Sequence, residues 1–70
     1  KTNKIIGGTM EDYSMQCLDI AQEECMAEGI FIGYVPFEFL ESVFAQLNEN
    51  NIPGCANMIV EEARRLNGNL

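Results

Sequence analysis

Apolar residues return every three or four positions along much of this chain, and that spacing predicts three helices, near residues 9–28, 37–49 and 53–66. The clearest pattern lies in residues 36–68, PFEFLESVFAQLNENNIPGCANMIVEEARRLNG. From Phe37 onward, Leu40, Val43, Phe44 and Leu47 fall on one arc, opposite Glu38, Glu41, Ser42, Ala45 and Asn48. Phe39 sits at the edge of that stripe, free to flank the core or meet a partner. Glu38 and Glu41 occupy the first turns, where the helix dipole favours negative charge. The run Asn48-Glu49-Asn50-Asn51 competes for its own backbone and predicts a stop.

Pro53 restarts a helix, because proline is tolerated in a first turn, and Asn51 is the expected cap. Cys55, Ala56, Ile59, Val60, Ala63 and Leu66 share its apolar face. Glu61 and Arg65 are spaced for an i,i+4 ion pair, and Asn67-Gly68 supplies the expected stop. Two facing stripes joined by a short polar connection predict an antiparallel helical hairpin as the organising unit. In one proline and its apolar spacing, the stretch of turn and following helix, NENNIPGCANMIVEEARRLNG, loosely resembles helical-repeat hairpins of the pentatricopeptide type. It has no second copy, and no family is assigned on that likeness.

The N-terminal helix has a narrower stripe of Tyr13, Cys17, Leu18, Ile20, Ala21 and Cys25, with Met15 and Met26 lying off it. Thr9 and Asp12 form an imperfect capping box, and Gly29-Ile30 matches a Schellman ending. Residues 30–35, IFIGYV, are β-branched and aromatic, and stop at Pro36. They are expected to be an extended crossover, able to pair with residues 4–6 as a short two-stranded ribbon. The expected core comprises Leu18, Ala21, Leu40, Val43, Phe44, Leu47, Ile59, Val60, Ala63 and Leu66. The whole is expected to be one mainly α domain spanning residues 1–70.

Charge narrows the function. Eleven acidic and four basic residues give a net charge of −7, which argues against direct contact with nucleic acid phosphates or anionic membranes and permits a basic partner. An odd count of three cysteines, without C-x-x-C, favours a reduced chain over a disulfide scaffold. No signal-peptide pattern and no run of 18 apolar residues occurs, so a cytoplasmic location is expected.

No arrangement for catalysis is found. Histidine is absent, which removes the commonest general base and metal ligand. Neither Ser14 nor Ser42 lies in a nucleophile-elbow context. Gly7-Gly8-Thr9 lacks the spacing and lysine of a phosphate loop. Cys17, Cys25 and Cys55, with Met15 and Met26, are donors for a soft metal, yet thiols on an apolar face are expected to pack as small hydrophobes. The adjacent carboxylates Glu23-Glu24 and Glu61-Glu62 point about 100° apart on a helix and do not converge.

The reading that remains is a non-enzymatic protein-interaction module, such as a small acidic adaptor, inhibitor or assembly subunit, with no cofactor and no metal. A small-ligand or soft-metal binding protein is the alternative. Seven apolar side chains crowd residues 30–39, more than one small domain can enclose. The partner-binding residues are therefore expected among Ile30, Phe31, Ile32, Tyr34, Phe37 and Phe39, with another protein or a second copy in a homodimer as the occupant.

Overall fold

A computed structural model describes residues 10–69. They form α1 (Met10–Glu28), a single 3₁₀ turn (Ile32–Tyr34), α2 (Phe37–Ala45) and α3 (Ile52–Gly68). The expected three helices are present, and no strand occurs among the described residues. The expected pairing with residues 4–6, and the cap at Thr9, lie outside the described residues.

The local rules account for most boundaries. Gly29 ends α1 in the left-handed region, at φ +72°. The Gly29 amide donates to Met26 O at 3.1 Å and the Ile30 amide to Cys25 O at 2.9 Å, the paired bonds of a Schellman motif. Pro53 lies in the first turn of α3, as expected. α2 stops at Ala45, short of the expected 49. Asparagine side chains take over the backbone from there. Asn51 Nδ2 donates to Gln46 O and its Oδ1 accepts from the Asn48 amide, both at 2.7 Å, while the Asn50 amide donates to Asn48 Oδ1 at 2.7 Å. Asn51 does hold the N-cap position of α3, but its side chain is spent on this loop and makes no cap bond.

The centre of the fold is α3 rather than the α2–α3 hairpin. The most extensive packing joins α1 to α3, and α2 covers a shorter part of α3. Small side chains explain this. Cys17, Ala21 and Cys25 on α1 are fully shut from solvent, as are Ala56, Ile59, Val60 and Ala63 on α3. Residues of that size let two backbones approach closely, so a narrow stripe makes a tight seam. α1 and α3 run in the same direction: Tyr13 bonds Glu49 just ahead of α3, and Glu28 meets Arg64 near its end.

Val43, Leu47, Ile52, Cys55 and Val35 complete the buried set. Of the expected core, Leu18, Leu40, Phe44 and Leu66 pack against it while keeping some exposure. Ile20, expected on the apolar arc of α1, is 37% exposed. Met15 and Met26 are open to solvent, and Met15 lines a shallow groove with Gln16, Leu18, Asp19 and Gln22.

The ion pairs also differ from the expected i,i+4 pair. Arg65 forks onto Glu62 one turn back, with N···O distances of 3.1 and 2.6 Å. Arg64 forks onto Glu28 across the seam at 2.9 and 2.6 Å. Glu61 instead accepts from Asn57 Nδ2 at 3.2 Å. Arg64 reaches α1 because the parallel register brings its turn of α3 alongside the end of α1.

Candidate functional site

Six apolar residues were expected to share a binding surface in residues 30–39, and the fold divides them. Ile30, Ile32 and Phe39 turn inward and pack against the core. Phe31, Tyr34 and Phe37 stay 58%, 46% and 68% exposed. Val35, between them, is buried and anchors the segment. The connector is thus both a lid, through one set of side chains, and an aromatic ledge, through the other.

The ledge follows from the 3₁₀ turn. With three residues per turn, positions three apart eclipse each other. Phe31 and Tyr34 have that spacing, and their rings meet edge to face, with centroids 4.9 Å apart at 86°. The expected extended crossover is instead a 3₁₀ turn, and the Phe31 ring lies over Gly33, where a Cβ would stand 2.5 Å from it unless the ring moved aside. The Val35 amide closes the turn onto Ile32 O at 3.0 Å. Pro36 follows in extended conformation, and α2 begins at Phe37, whose side chain stays exposed two residues after the buried Val35.

One residue of α3 fixes this geometry. The Phe31 amide donates to Asn67 Oδ1 at 2.9 Å, and Asn67 Nδ2 donates back to Phe31 O at 3.1 Å. The same Nδ2 donates to Ala63 O at 2.6 Å. The carboxamide therefore grips both backbone groups of Phe31, as a neighbouring strand would, while braced against its own helix. In the sequence the pair Asn67-Gly68 reads as a helix stop. α3 instead runs through Gly68 to a cap at Asn69, and Asn67 is a clamp on the ledge. Nothing in its sequence context separates the two roles, since asparagine before glycine is a common helix ending.

Carboxylates far outnumber cations among the described residues. All eleven carboxylates lie in residues 10–69, where Arg64 and Arg65 are the only cations. Both guanidiniums are already forked onto Glu28 and Glu62. Those hydrogen bonds hold the Glu28 and Glu62 carboxyls below the ordinary carboxylate value of 4.5. Glu38 and Glu41 are exposed on α2, next to Phe37 and one turn beyond it.

The thiols are placed differently. Cys17, Cys25 and Cys55 are free and buried. Burial, with a smaller contribution from Cys55, pushes the Cys17 thiol from the ordinary 9.0 up to about 11. Among the described residues no group of three or more His, Cys, Asp or Glu side chains comes together to hold a metal ion. No helix among them is long and apolar enough to cross a membrane. No known protein family, curated protein or solved structure matches this chain.

Proposed function

We propose that this chain is a non-enzymatic protein-interaction module that docks its partner on the ledge of Phe31, Tyr34 and Phe37. The observation that carries this reading is three aromatic side chains open to solvent within seven residues, the first of them, Phe31, on a backbone that Asn67 grips at both its donor and its acceptor. Rings fixed before binding lose little conformational freedom on contact, and aromatic residues dominate interface energetics. Ile30, Ile32 and Phe39 back the ledge from the core side. An adaptor, an inhibitor or an assembly subunit would each use such a surface. Three free thiols suit a reducing compartment, so a cytoplasmic setting goes with this reading.

A homodimer through the same ledge is the competing use, and a net charge of −7 on each copy opposes it. The test is capture from lysate by wild type and by a Phe31→Ser/Tyr34→Ser/Phe37→Ser variant, each first checked for helicity, together with sedimentation over a range of concentrations. A partner kept by wild type and lost by the variant supports the reading. The same proteins retained by both would overturn it. A ledge-dependent dimer with no other partner would replace it with self-association. The small-ligand or soft-metal alternative is tested by native mass spectrometry of freshly purified protein.

A further inference from the structure

We infer that the ledge takes a cationic segment of its partner, one that sets an arginine side chain over the exposed rings and beside Glu38 and Glu41. This rests on reading the ledge as a docking surface and adds the chemistry of what docks. The first support is charge. Residues 10–69 carry eleven carboxylates and two guanidiniums, and both guanidiniums are committed to carboxylates of this same chain. The second support is the kind of apolar surface. An aliphatic patch attracts only apolar area, whereas aromatic faces carry a negative quadrupole that attracts cations. Phe31, Tyr34 and Phe37 supply such rings within seven residues.

The third support is position. Glu38 is adjacent to Phe37 and Glu41 is one turn further on, both exposed, so a cation on the Phe37 ring has carboxylates within side-chain reach. Arginine fits better than lysine. Its flat guanidinium stacks on a ring and forks onto a carboxylate at once, and it sheds water more readily. The other occupants fit less well. Phosphate-bearing nucleic acid and anionic lipid share the sign of the surface, and a second copy would bring its own eleven carboxylates to the seam.

Selection of a random linear peptide library on the intact protein tests this, with counter-selection on the Phe37→Ser variant. Phe37 is 68% exposed, so its loss should leave the fold alone, and circular dichroism verifies that. The expected peptides are rich in arginine, bind wild type roughly three- to tenfold more tightly than Phe37→Ser, and weaken as salt is raised. Glu38→Gln/Glu41→Gln should weaken them as well. Ledge-dependent peptides that lack arginine and lysine would overturn the cationic inference and leave the docking surface standing. Basic peptides that bind wild type and Phe37→Ser equally would reduce the effect to bulk charge and overturn it too. Absence of any ledge-dependent peptide would count against the docking surface itself.

Discussion

The α1–α3 seam and the aromatic ledge are built from opposite materials. The seam uses alanine, cysteine, valine and isoleucine, and it is fully shut. The ledge uses phenylalanine and tyrosine, larger and no less apolar, and about half or more of each ring faces water. What decides burial here is how closely two backbones approach, not how hydrophobic a side chain is. Small residues permit the approach of two helices. No element among the described residues covers the outer side of the 3₁₀ turn, so Phe31 and Tyr34 stay exposed.

Breaking the seam should have the largest effect. Val60→Pro removes a helical hydrogen bond at a fully buried position and should cost about 3 kcal/mol or more. Ile59→Asp in the seam, and Val43→Asp where α2 joins the core, each bury an unpaired carboxylate and should abolish cooperative unfolding, as read by thermal melts. Pro53→Ala, in the first turn, should stay mild. Equal losses at Val60 and Pro53 would mean that the start of α3 is misplaced.

Asn67→Ala is the link between the two regions. It removes the grip on Phe31 and the bond to Ala63 O, and should cost about 1–2 kcal/mol. It should also speed amide exchange of Phe31 selectively, which a general loss of stability would not do.

The seam also has an alkaline limit. A thiol whose folded value is raised contributes stability that is complete below its unfolded value and is lost as pH rises. For Cys17 that window runs from 9.0 to about 11. Denaturant midpoints across this range should fall more steeply for wild type than for Cys17→Ala. Parallel curves would show that the thiol is not shielded.

Phe37→Ser should lie within about 0.5 kcal/mol of wild type, because the ring is mostly exposed. A large loss would mean that the ring supports the fold rather than a partner. The smallest shift belongs to Glu28. Its depressed carboxyl contributes stability above the ordinary 4.5 that is lost as pH falls through its lower folded value. Glu28→Gln should remove that acid-side dependence with little change at neutral pH. The pair is exposed, so screening keeps it weak.

Much of this was legible in the sequence. Apolar spacing located all three helices, Gly29-Ile30 their first ending, and Pro53 the restart. The seam was harder to read, since Cys17, Ala21 and Cys25 make a weak stripe in any hydropathy pattern while making a close contact in space. The connector was misjudged because IFIGYV has the composition of a strand. In the structure the Val35 amide closes onto Ile32 O and makes it a 3₁₀ turn. Which of the six apolar residues stay exposed was half legible, because periodicity across a 3₁₀ turn differs from that of a strand. The Asn67 clamp was not legible, since its partner lies 36 residues away.

That distance recurs. Tyr13–Glu49, Glu28–Arg64 and Phe31–Asn67 each span 36 positions of a 70-residue chain. The parallel course of α1 and α3 requires it, because the chain must travel out along α2 before α3 can lie beside α1. An up-and-down bundle closes neighbour on neighbour and gains contacts from its first turn. Here the main seam forms only after about half the chain has been looped, and the loop entropy is lost before the seam compensates for it. Folding should therefore be slower than in an up-and-down bundle of this length. It should also be all-or-none: residues 36–69 alone, lacking the α1 half of the seam, should show little of the helicity they have in the intact chain.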